Sequence, residues 1–202
     1  MSHDDLAHDI SHYMDFHHIE KANLLGHSLG GKAVMQFAIK YPIKVQKLIV
    51  VDISPKAYPP HHQGILKALE SVDFENLKTR QQVEEVLQQY IPEKSVIQFL
   101  AKNLYWKDDK KLDWRFNLKT LSEKYSDFVS NAIKFGVFTG ETLFIAGAKS
   151  NYILPQDEFQ IKQQFPNSSI VKIPNAGHWV QAENPKDFNE AVKDFIFETP
   201  LV

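Results

Sequence analysis

Leu6, Ile10, Tyr13 and Met14 recur at helical spacing, which predicts an amphipathic helix over residues 3–17 with Ser2 as its cap. A short apolar run, Ala22 to Leu25, reads as a strand and ends in Gly26. From Leu29 to Lys40 the apolar positions Leu29, Ala33, Val34, Phe37 and Ala38 return to one helical face, and Pro42 stops the helix. The segment KLIVVD that follows is continuously apolar and β-branched, as a parallel strand covered by helices on both faces must be. Residues 58–136 change character. They are rich in Gln, Lys and Glu, show helical periodicity over Ile65 to Leu69, Val83 to Tyr90 and Val96 to Leu100, and contain no central strand. The alternation then resumes with strand TLFIAG, a helix from about Asp157 to Phe165, strand SIVKI, a loop NAGHW and a closing helix from Pro185 to Phe197. Strands alternating with helices predict an α/β fold, a mostly parallel sheet flanked by helices. Its core is expected from residues 1–57 and 137–202, with 58–136 inserted as a helical cap.

Composition narrows the function. The chain has 202 residues, 43% hydrophobic and 24% charged, with a formal charge of −2 and no cysteine. The charge offers no basic stripe to nucleic acid and no polybasic segment to an anionic membrane, so neither partner is expected. No apolar stretch approaches the roughly 18 residues that span a bilayer. The opening MSHDDLAHDISHYMDF is acidic where an export signal would be basic and then apolar, and a cytoplasmic location is expected. Without cysteine, thiolate nucleophiles and cysteine-ligated zinc are excluded. His8 and His12 share a helical face, but no third ligand is placed to complete a metal site.

The chemistry concentrates in LLGHSLGG, which sets G-x-S-x-G at Gly26, His27, Ser28, Leu29 and Gly30, between a predicted strand and a predicted helix. A turn this sharp should hold Ser28 strained and exposed, and side chains two residues to either side should collide, so glycine is expected to be needed at both. The hydroxyl then sits at a helix N-terminus, with the N–H of Leu29 as one oxyanion donor. A serine hydroxyl needs a base to take its proton. His178 in PNAGHWV lies in a loop between the last strand and last helix, after the serine in chain order as such a triad requires. The plainer alternative is a loop histidine packed beside Trp179.

In GHSLGGKAVM, VDISP, the WRFN segment and GHWV, from about residue 2 to the end, the chain resembles the C-terminal two-thirds of a small α/β-hydrolase, and YbfF-type esterases in particular. The resemblance implies hydrolysis of small-molecule acyl esters, acyl thioesters included, without a cofactor. It also implies an acid at Asp52, at the end of KLIVVD, because the loop that carries the acid in most of the family reads AGAKSNYILPQD here and places Ser150 at that position. A hydrogen-bonding role in the site is implied for Ser150. Asp157 stands in reserve as the acid, and Asp52 as a loop or capping carboxylate is the plain alternative.

Two competing readings stay open. Gly26 to Lys32 also spell G-x-x-x-x-G-K, and LIVVD resembles the apolar run and aspartate of a P-loop nucleotide binder, although Ala33 cannot supply the metal-ligating hydroxyl. In the α/β-hydrolase fold four strands normally precede the nucleophile strand, and here about one helix does. The resemblance therefore implies that the N-terminal strands and the second oxyanion donor are absent, so an inactive fragment serving as a binding or structural module is the alternative. The unpaired strand edge would favour self-association. Phe99, Tyr105, Trp106, Trp114 and Phe116 either line an acyl pocket or form the core of the insert.

Overall fold

The computed structural model describes residues 2–60, 63–108, 111–128 and 130–197. They fall into two units, one built from the chain up to Tyr58 and from Asn131 onward, the other from Pro59–Ser130. Residues 131–136, read from the sequence as part of the insert, belong to the first unit. Ile133 is buried in its core and donates its N–H to Pro55 O, and the Lys134 N–H is held by the side chain of Gln36.

In the first unit, helix α1 (His3–Phe16) is capped by the Ser2 hydroxyl, which accepts from the N–H of Asp5. Strand β1 (Ala22–His27) leads through Ser28 into helix α2 (Leu29–Lys40), and β2 (Val45–Val51) follows. After the insert come β5 (Thr142–Gly147), α7 (Asp157–Gln164), β6 (Ser168–Ile173), the single turn α8 (Val180–Glu183) and α9 (Pro185–Phe197). The four strands form one parallel sheet in the order β1-β2-β5-β6. Period-two alternation sorts their side chains. Leu48, Val50, Phe144 and Ala146 meet α1, α2 and α7 on one face, whereas Ile49, Val51, Leu143 and Ile145 meet α8 and α9 on the other. This two-sided burial is why KLIVVD and TLFIAG read as unbroken apolar runs. It also sets the site, because the C-terminal ends of β1, β2 and β5 and the loop after β6 all open at one edge of the sheet.

The second unit contains α3 (Gln63–Glu70), α4 (Arg80–Gln88), α5 (Lys94–Ala101) and α6 (Leu118–Phe128). It is not purely helical: β3 (Leu104–Asp108) and β4 (Lys111–Trp114) pair antiparallel, so the expectation of a strandless insert is corrected. Leu104, Leu112 and Trp114 point inward from the hairpin, and Trp114 stacks on Phe116 and meets Phe74 edge-on, so these rings serve the unit's own core. Phe99 and Trp106 are exposed. No helix among the described residues is long and apolar enough to cross a membrane.

Candidate active site

Ser28 sits between β1 and α2 with φ 55° and ψ −121°, a conformation that L-residues adopt only under constraint, at a cost of about 1–3 kcal/mol. The constraint is visible. The N–H of Ser28 is tied to Val51 O at 3.0 Å and its carbonyl accepts from the N–H of Lys32 at 3.2 Å. Glycine is required at Gly26, where a Cβ would lie 2.2 Å from Gly30 O, so side-chain collision there is real. It is not required at Gly30, which faces open space. The second crowded position is Gly31, where a Cβ would come within 2.4 Å of Ile53 Cγ2. The need for glycine is therefore displaced by one residue from the sequence expectation, because the helix turns the i+3 position back onto the strand.

Four candidate residues meet in one hydrogen-bonded chain. Ser28 Oγ lies 3.1 Å from His178 Nε2, and His178 Nδ1 lies 2.8 Å from Asp52 Oδ2. A carboxylate accepts, so Nδ1 carries the imidazole proton and Nε2 is left to receive one from Ser28. Asp52 is fully buried, yet both of its carboxylate oxygens have donors: besides His178, the Ser150 hydroxyl donates to Oδ2 at 2.5 Å and the Gly147 N–H to Oδ1 at 3.0 Å. Asp52 itself has φ 49°, the left-handed region that aspartate tolerates, and its N–H is bound by Ile145 O at 2.7 Å. The end of β2 is thereby locked against the end of β5.

Asp157 lies elsewhere, its carboxylate accepting from Lys56 Nζ and from the N–H of Leu154. Leu29 opens α2, where the first N–H groups have no acceptor within the helix, so its N–H is available beside Ser28. Lys32 is not presented to a phosphate. Its ammonium is buried and donates to the carbonyls of Lys56 and Asn131. Three contributors carried no signal in the sequence. Tyr152 stacks on the His178 ring at 4.0 Å between centroids, with its N–H donated to Ser150 Oγ. Glu183 accepts from the N–H groups of Gly177 and Trp179, on either side of His178. His27, a variable position within the motif, bonds to the His178 carbonyl.

Comparison with known proteins agrees with this architecture. A family model described as the Ndr family matches residues 1–198. The chain is 34% identical over 202 residues to the sn-1-specific diacylglycerol lipase ABHD11 of Danio rerio, covering 97% of this chain and 63% of that protein. It is 34% identical over 197 residues to the esterase YbfF of Escherichia coli, covering 97% of this chain and 75% of that one. Among solved structures, a marine microorganism esterase superposes with a TM-score of 0.92 at 34% identity, covering 96% of this chain and 77% of the esterase. The chain spans 63% and 58% of the length of the zebrafish and mouse lipases it matches. On the Ndr match over nearly its whole length and on its likeness to YbfF and the marine esterase, the chain belongs to the α/β-hydrolase family.

Proposed function

We propose that the protein hydrolyses carboxylic esters, acyl thioesters included, through an acyl-enzyme on Ser28. The observation that carries this reading is the chain of contacts from Ser28 through His178 to a buried Asp52, with the serine held in a strained turn at a helix N-terminus. In the reaction, Ser28 Oγ attacks the acyl carbon while His178 Nε2 takes the hydroxyl proton, and Asp52 stabilises the imidazolium that forms. The oxyanion develops beside the Leu29 N–H. Collapse expels the alcohol or thiol, which leaves with the proton from His178. Water then adds to the acyl-serine by the same steps in reverse and releases the acid. Ser150 is assigned the task of holding Asp52 in place. The inserted unit, Pro59–Ser130, is assigned selectivity for the acyl chain, as a cap.

The names of the relatives support the substrate class, since they are called esterases and a diacylglycerol lipase. The test is hydrolysis of p-nitrophenyl acyl esters together with labelling by a fluorophosphonate probe. Ser28→Ala should lower turnover by about 10⁴ or more and abolish labelling, because members of a triad act as a unit. A wild-type chain that neither turns over esters nor takes the label would favour a binding or structural role. An active Ser28→Ala variant would move the nucleophile elsewhere.

A further inference from the structure

The loop that carries His178 is pinned through main-chain atoms of three consecutive residues, Gly177, His178 and Trp179. Glu183 Oε2 accepts from the Gly177 N–H at 2.9 Å and Oε1 from the Trp179 N–H at 3.1 Å, so α8 holds the groups on both sides. The carbonyl of His178 itself is held from a different element, by His27 Nε2 at 2.8 Å. A carbonyl can only accept, so His27 must carry its proton on Nε2, which leaves Nδ1 unprotonated in the neutral ring. His27 is the last residue of β1, directly before Ser28, and its ring packs 4.7 Å from the ring of His178 and 5.4 Å from that of Trp179.

One elbow therefore grips the same residue at two points. Ser28 Oγ meets the imidazole of His178, and the neighbouring side chain holds its main chain. The approach of nucleophile and base is thus constrained from a single pair of adjacent residues, in addition to the hold of Glu183 on the loop and of Asp52 on the ring. We infer that His27 is a positioning residue, which fixes the approach of His178 to Ser28 through the His178 carbonyl. This rests on the hydrolase reading above. Burial lowers the His27 pKa below the ordinary histidine value, which keeps the ring neutral in its donor tautomer. The titratable groups that face it are His178 and, behind it, Asp52. A neutral His27 also leaves the imidazolium of His178 without a like charge at its side.

His27→Leu removes the donor at similar bulk, and His27→Gln returns an amide N–H to the same reach. In His27→Leu, kcat should fall about 10- to 100-fold, the cost of a small misplacement of the base, while KM stays within about threefold. His27→Gln should recover most of the loss. Wild-type kcat in His27→Leu, or a His27→Gln variant that melts like wild type and is as slow as His27→Leu, would overturn the inference. A loss expressed in KM alone would do the same. A readout free of turnover separates this from failure of the hydrolase reading: long-range ¹H–¹⁵N spectra of the wild-type protein should show His27 as the Nε2–H tautomer, with that proton slow to exchange. The Nδ1–H tautomer, or a rapidly exchanging Nε2 proton, would sink the inference whether or not the chain turns over esters.

Discussion

Lys32 shows how far a single residue can mislead. In the sequence it completes G-x-x-x-x-G-K, and only Ala33 argues against a phosphate cradle. In the fold it is a lysine 1% exposed on the inner side of α2, with its ammonium bonded to the carbonyls of Lys56 and Asn131 and set over the ring of Tyr58. The two carbonyl dipoles accept from its ammonium without neutralising its charge, and desolvation pushes its pKa from 10.5 down to about 8. Between these two values the unfolded chain holds a proton that the folded chain has released, so stability should rise with pH across the window from about 8 to 10.5. For one proton the slope approaches about 1.4 kcal/mol per pH unit. Tyr58, whose pKa burial raises, opposes this at the alkaline end. The quantity to measure is therefore the urea stability of wild type minus that of Lys32→Met at each pH. That difference should climb from pH 8 to pH 10, and a flat difference would show that Lys32 titrates normally. Nothing in the local sequence announces such a residue, because burial is decided by the carbonyls of segments 24 and 99 residues away.

At the scale of elements, the strand, elbow and helix around Ser28 were legible because each is written locally: apolar residues in a run, then glycines, then apolar residues at helical spacing. The acid was legible only through the family resemblance, since nothing at Asp52 distinguishes it from any carboxylate that ends a strand. The β3–β4 hairpin was not legible. Its strands are five and four residues long and carry Lys and Asp on the outward positions, so alternation cannot be told from a helix fragment over so short a span. The elbow's glycines were misread in register, and this can be tested. A Cβ at Gly30 meets nothing within 4 Å, and no glycine among the described residues has a positive φ. Gly30→Ala should accordingly be neutral or stabilising by up to about 1 kcal/mol, through helix propensity and reduced freedom of the unfolded chain. Gly31→Ala drives a methyl into Ile53, which is 4% exposed, and within 3.1 Å of Gly26 O, and should cost about 1–3 kcal/mol. Chemical denaturation of the two variants checks the contrast, and equal losses would return the steric requirement to Gly30.

For the whole molecule, the sheet's two borders are treated differently. Among the described residues β1 pairs with β2 alone and β6 with β5 alone, so each has one side without a strand partner. On β6 the exposed Lys172 stands guard, since adding a strand there would bring another chain's backbone against a charged side chain. No charge lies within β1, where Leu25 is 46% exposed. The contrast follows from period two: in β1 the buried positions face α1 and α2, and the alternate ones, Asn23 and Leu25, are left outward with no charge to discourage pairing. An unguarded edge with an exposed leucine is a template for a further strand, and in a solution of these 202 residues alone a second copy can supply it. Self-association should therefore occur through β1. Light scattering after size exclusion should give a mass above 23.3 kDa that rises with concentration, and Leu25→Lys should return it toward the monomer value while leaving the melting temperature within a few degrees. Because Leu25 lies three residues before Ser28, the same variant also reports on the site. If association blocks access to the elbow, fluorophosphonate labelling should speed up as the assembly dissociates, and if the elbow faces away, the rate should be independent of concentration. A strictly monomeric wild type at all concentrations would show that the β1 edge is protected by something other than the charge pattern argued here.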